Sequence, residues 1–302
     1  AAITKNYSDF VTFLGYKKIV DNKLYNFVFD EEYYLSIINK YQQYNYKTLK
    51  ECLFDCCALG ITYVVEYFIL NDYFDIFTLK DGYSLLYTSV LNTDNTDMVK
   101  LILKYLKLSE KPILEHMNLK IDGKPIINYV CDKQFTNILS VLLQEPLINV
   151  NEKDNKHNTP LMITVLGYNV TNICMLLNDI RVDPNIKNLK GNTAFHLVIH
   201  KKYTQVCDLF LNNSRVNKNI QNNHGETPLF VSANNGSRKI FYMIYNTKGV
   251  DTNIKDYRKE KTPLEVHEEN PREIIFIRGK PFIKVENKKN TYNSMLRKNL
   301  KV

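Results

Sequence analysis

A short phrase returns along this chain at a fixed interval. Asn158-Thr159-Pro160-Leu161, Asn192-Thr193-Ala194-Phe195-His196 and Glu226-Thr227-Pro228-Leu229 place their threonines 34 residues apart. Lys261-Thr262-Pro263-Leu264 follows after 35 residues, and Gly123-Lys124-Pro125-Ile126-Ile127-Asn128 lies 34 before the first copy. Weaker copies are Gly82-Tyr83-Ser84-Leu85-Leu86-Tyr87 and Glu51-Cys52-Leu53-Phe54, so units start near residues 51, 84, 125, 159, 193, 227 and 262. Self-similarity at this period argues against a single closed core. Each unit is a small piece of structure that buries its apolar face on its neighbours.

Within a unit the residue types specify local structure. A Thr hydroxyl can accept from the free amides of a first helical turn, and a Pro just after it occupies the first helical position, where no intrahelical amide bond is lost. Thr-Pro therefore starts a first helix. A second helix follows from apolar spacing: Val64, Val65, Phe68, Ile69; Ile138, Leu139, Leu142, Leu143; Ile173, Leu176, Leu177; Val206, Leu209, Phe210; Ile240, Met243, Ile244. Each set falls on one helical face. Between units come Val182-Asp183-Pro184-Asn185, Val216-Asn217-Lys218-Asn219 and Val250-Asp251-Thr252-Asn253, then turns that include Gly191 and Gly225. Glycine there permits the positive φ of a tight turn.

At these residues the chain resembles the ankyrin-repeat family, whose unit of about 33 residues carries a T-P-L-H-x-A motif between a turn and two helices. The resemblance covers roughly residues 48–268 and implies an all-α ankyrin-repeat solenoid of about six full repeats plus a diverged C-terminal unit. Residues 1–50, with a helix expected over Glu31–Gln43, read as a diverged N-terminal capping segment; 51–268 are the repeats, and 269–302 are a basic C-terminal segment. Two departures stand out. The step of 41 residues from 84 to 125 implies an insertion, most of it in Leu106–Asn118, a loop expected to protrude or to adjust the superhelix. Pro271 stands where the last unit's second helix would run, and the stretch 274–285 reads as a short hairpin.

Charge is concentrated at one end. The net charge is +8, yet residues 271–302 alone hold nine Lys or Arg against Glu273 and Glu286, which leaves the rest of the chain nearly neutral. That tail reads as solvated surface, and nucleic acid is not the expected partner. The 21 Tyr and 15 Phe, with Tyr33, Tyr34, Tyr41, Tyr44 and Tyr46 clustered near the start, read as core or protein-binding surface rather than base-stacking platforms. No apolar run approaches a membrane span. Ala1–Tyr7 has neither the basic nor the apolar part of a secretory signal and there is no initiating Met, so a fragment or a processed start is expected. Cys52, Cys56, Cys57, Cys131, Cys174 and Cys207 lack the spacing of a zinc ribbon or a disulfide scaffold. They point to a reducing compartment. The cytoplasm is expected, or a host's cytosol or nucleus if the Asn-, Lys- and Ile-rich composition reflects the AT-rich genome of a parasite, an intracellular bacterium or a large DNA virus.

Catalytic constellations are hard to assemble. His196 and His200 share a helix face at a metal-binding spacing, but no Glu accompanies them and His196 already has a place in the repeat phrase. No Gly-rich phosphate loop and no nucleophile with base and orienting acid can be put together. The chain is expected to be neither an enzyme nor a metal or cofactor carrier.

What the resemblance implies instead is protein recognition on the concave surface formed by turn tips and first helices. Its variable positions are Lys153, Asn155, Lys156 and Asn158; Lys187, Leu189, Lys190 and Asn192; Gln221, Asn223, His224 and Glu226; with His200, Lys201, Asn234 and Asn235 from the helices. The lysine-rich middle suggests a partner with an acidic segment. The alternative is the targeting half of a larger effector or enzyme whose catalytic domain lies outside this chain.

Overall fold

The structure, a computed structural model, describes residues 46–60, 62–70, 74–91, 94–109 and 113–269, with backbone alone at a few positions that include 275–277 and 280–282. Chain contacts divide it into residues 1–50 and 51–302. The expected helix over Glu31–Gln43, the N-terminal tyrosines up to Tyr44 and the lysines beyond Phe282 lie outside the described residues.

The elements alternate as first and second helices. They are α1 Tyr46–Ala58, α2 Thr62–Leu70, α3 Leu85–Thr88, α4 Thr96–Leu108, α5 Leu114–Met117, α6 Ile126–Asp132 and α7 Thr136–Leu143; then α8 Pro160–Gly167, α9 Val170–Asn178, α10 Ala194–His200, α11 Thr204–Asn212, α12 Pro228–Asn234, α13 Arg238–Tyr245 and α14 Pro263–Glu269. First helices α6, α8, α10, α12 and α14 pack in one row, and among the second helices α4 packs on α7, α7 on α9, and α11 on α13. Every unit thus touches its immediate neighbours, as the repeat period requires. Leucine, isoleucine, valine and phenylalanine at the facing positions are fully buried, among them Leu139, Ile173, Phe195, Phe210 and Phe241.

Helix starts follow the Thr-Pro chemistry. Thr159 Oγ1 accepts from the Met162 amide at 3.4 Å and Thr227 Oγ1 from the Phe230 amide at 3.2 Å, while Pro160 and Pro228 hold the first helical positions. Thr262 adds a reciprocal contact, its amide donating to Glu265 Oε2 at 2.7 Å. At the upstream end, α1 is already helical at Tyr46, so the unit read from Glu51 begins inside a helix and not at a helix start.

The insertion is mostly helix. Helix α4 runs 13 residues, against eight for α7 and nine for α9, and the short α5 follows, burying Met117. The reason is legible in its side chains: Met98, Val99, Ile102, Leu103 and Leu106 keep one apolar face for the whole length and are buried. A protruding loop is therefore not what fills the described part of this segment.

Three short antiparallel pairings interrupt the helices. β1 Leu79–Lys80 pairs with β2 Tyr83–Ser84, β3 Lys120–Ile121 with β4 Lys124–Pro125, and β5 Ile275–Ile277 with β6 Lys280–Phe282 in the C-terminal segment, with Ile275 opposite Phe282. The expectation that no second helix follows α14 falls on residues 270–274, outside the described residues.

Candidate functional site

The turn ahead of each first helix is built around one acceptor side chain. Asp154 Oδ1 accepts from the amides of Lys156 and Asn158 at 2.8 and 2.7 Å; Asn188 Oδ1 does so for Lys190 and Asn192, and Asn222 Oδ1 for His224 and Glu226. Asp256 repeats the arrangement with its carboxylate on the amides of Arg258, Lys259 and Lys261. One extra residue is accommodated there, with Glu260 at φ 52°, which accounts for the interval of 35. Consecutive tips are then sewn together by main chain: the amides of Leu189, Asn223 and Tyr257 donate to the carbonyls of Lys156, Lys190 and His224. The tip row is therefore a fixed platform from 154 to 261.

Side chains at those tips divide by burial. Asn155, Lys156, Lys187, Leu189, Lys190, Asn223 and His224 are exposed, as are His200, Lys201 and Asn234 at the ends of first helices, whereas Lys153, Gln221, Glu226 and Asn235 are partly covered. Two expectations need correction. Asn158 and Asn192 are 7% and 6% exposed and cannot meet a partner. They form a ladder through the stack: Asn128 Nδ2 donates to the Asn158 carbonyl at 3.2 Å, Asn188 Nδ2 to Asn158 Oδ1 at 3.0 Å, and Asn222 Nδ2 to Asn192 Oδ1 at 3.1 Å. A buried amide must find such partners, and here the neighbouring turn supplies them. Other surface polar groups are also committed: Gln221 Nε2 donates to the carbonyls of Gly225 and Lys255, and Asn235 Nδ2 to that of Ile199.

The lysines differ. Elsewhere cations find carboxylates, as Lys107 does on Glu145, Lys124 on Asp132, and Lys120 on Glu152. Among the described residues, no ion pair takes up Lys156, Lys187, Lys190, Lys201 or Arg258. Arg258 instead donates to His224 Nδ1 at 2.9 Å. The platform presents uncompensated positive charge on consecutive tips.

His196 is fully enclosed. The Thr193 amide and hydroxyl both reach its Nδ1, at 3.2 and 2.8 Å, so Nε2 carries the proton and donates to the Glu226 carbonyl at 3.0 Å. Burial pushes its pKa from 6.5 down to about 4, with nearby His200 and Lys187 adding to the effect. Both ring nitrogens are used, which leaves His200 without a second imidazole for a metal. Burial likewise raises the Cys131 and Cys207 thiols to about 12, so neither is a nucleophile near neutral pH. The side chain of Cys52 lies outside the described residues.

The stack is further held by two arginines that sequence reading passes over. Arg181 and Arg215 stand one period apart and each reaches back to carbonyls at the end of the preceding second helix. Arg181 donates to Leu143 and Glu145, and Arg215 to Leu177, Asp179, Ile180 and Val182. Their spacing was the available signal.

Comparison with known proteins gives the fold. The family described as ankyrin repeats (3 copies) matches residues 165–256. The solved ankyrin repeat domain of Bcl-3, described as a member of the IkappaB protein family, superposes with a TM-score of 0.59 at 17% identity, covering 71% of this chain and 92% of that one. At that identity the likeness speaks for fold and not for partner. No curated protein sequence matches the chain. Among the described residues, no helix is long and apolar enough to cross a membrane.

Proposed function

We propose that this ankyrin-repeat protein is a non-catalytic binding module that holds an acidic segment of a partner protein along its turn tips. The observation that carries the reading is the run of exposed lysines, Lys156, Lys187 and Lys190, on consecutive tips, none of them held in an ion pair among the described residues. A rigid platform costs little ordering on binding, and uncompensated cations in a row attract a complementary chain and set its register. Asn155, Leu189, Asn223 and His224 share this row; His200, Lys201 and Asn234 flank it. In this reading the register runs through about six repeats, beyond the three copies of the family match.

The test is charge reversal at Lys156, Lys187 and Lys190 together, read against a fluorescein-labelled peptide rich in Asp and Glu. The thermal midpoint should hardly move, because each site is exposed. Binding should weaken by at least about tenfold and, in the parent, fall as salt rises. A variant that binds as the parent does places the docking site elsewhere.

A further inference from the structure

The first helices present their last-turn side chains in register, and one unit breaks the pattern. At the two equivalent positions that close the first helices, Asp132 and Lys133 follow from α6, His200 and Lys201 from α10, and Asn234 and Asn235 from α12, whereas α8 has Leu166 and Gly167. An open cavity of about 430 Å³ lies at that gap, within the size range of sites that seat a side chain or small ligand. Its lining joins the apolar Ile163 and Leu166 to Asp122, Lys124, Asp132, Asp154 and Lys156. Leu166 is 40% exposed, an apolar group facing water amid polar neighbours.

The charges at the rim are not equivalent. Lys124 is paired with Asp132 at 2.8 Å, whereas Asp154, on the same turn as Lys156, accepts from the amides of that turn and has no cation paired to it among the described residues. In the order of the repeats, Asp122 belongs to the turn before α6 and Lys156 to the turn before α8, the one followed by Lys187 and Lys190. With Asp122, Asp132 and Asp154 in the lining, an acidic chain is favoured further along, toward Lys187 and Lys190, and an uncharged group suits the cavity itself.

We infer that this cavity is the anchor site for one apolar side chain, aliphatic or aromatic, that terminates the acidic segment of the partner, with the acidic run extending from Lys156 toward Lys187 and Lys190. The inference rests on the proposed function and adds the feature that charge alone lacks, a desolvated anchor of the kind that dominates interface energies.

Gly167→Lys separates the two ideas. It restores the lysine found at positions 133 and 201. The backbone there is not in the left-handed region, and the nearest atom a Cβ would meet is Gln134 Nε2 at 3.5 Å, an ordinary contact. The new side chain covers the cavity yet adds positive charge. Fluorescein-labelled acidic peptides that differ solely in the residue ending the acidic run, Leu, Phe or Ser, are titrated into the full chain by anisotropy. The Leu or Phe peptide should bind at least about tenfold tighter than the Ser peptide, and Gly167→Lys should abolish that preference. Equal binding of the three, or a preference that survives the substitution, overturns the anchor while leaving the charged platform standing. No measurable binding by any peptide removes both readings.

Discussion

The buried imidazole of His196 makes stability depend on acidity in a way that can be calculated. In the unfolded chain it takes up a proton near 6.5, whereas burial holds it to about 4 in the fold. The folded form is the one that resists protonation, so its contribution is complete above about pH 6.5 and disappears as the pH falls toward 4. The whole gap corresponds to roughly 3 kcal/mol, and the part crossed between about pH 7.5 and pH 5 to roughly 2 kcal/mol. Urea unfolding followed by circular dichroism at those two acidities measures it in the parent. His196→Gln provides the reference, since an amide at that position can still accept from the Thr193 amide but does not titrate. The variant should be less stable at about pH 7.5 by roughly 1 kcal/mol, for the altered bond to the Glu226 carbonyl. It should also lose about 2 kcal/mol less than the parent on acidification. His200 and the carboxylates titrate in both proteins and cancel in the difference. Equal losses in parent and variant would refute the reasoning.

Three further substitutions test the packing. Asn172 is fully buried with neither side-chain amide atom bonded, at a position that is Ile138, Val206 and Ile240 in neighbouring units; Asn172→Val should raise the urea midpoint, by roughly 2 kcal/mol in stability. Arg215→Ala should cost about 2 kcal/mol through the carbonyls it leaves uncapped, with hydrogen exchange rising at the end of α9. Gly225 has φ 78°, and a Cβ there would lie 2.5 Å from Tyr257, so Gly225→Ala should lower the thermal midpoint by more than the roughly 1 kcal/mol of left-handed strain alone.

Much of the fold was legible because its signals are local. Thr159, Pro160, Thr227 and Pro228 act within one helical turn, so their types fix the helix starts, and the spacing of Ile138, Leu139 and Leu142 fixes a buried face. The candidate surface was less legible. Asn158 and Asn192 sit beside the threonines and look like tip residues, but their amides turn inward to the next unit's turn, a relation between residues about thirty apart that local reading does not reveal. Recurrence of Asn at 151, 185 and 219 carries a similar seam: Asn151 and Asn185 reach the carbonyls of Arg181 and Arg215, and Asn219 that of Gly249. Within Leu106–Asn118, read as a loop, α4 runs on to Leu108 and α5 covers Leu114–Met117, a helix of four residues that is too short for apolar periodicity to reveal. The cavity at Gly167 required comparing like positions across units.

The two arginines also set how the stack would respond to being pulled. Since the principal contacts of the described helices fall between neighbours, tension along the chain is borne largely seam by seam. At two seams a guanidinium grips several carbonyls across the joint. One period beyond Arg215 stands Gly249, whose carbonyl receives the Asn219 side chain but which sends nothing back. The joint between the units starting at 193 and 227 has no such guanidinium and is carried under load by other bonds, among them His196 Nε2 to the Glu226 carbonyl and Asn222 Nδ2 to Asn192 Oδ1.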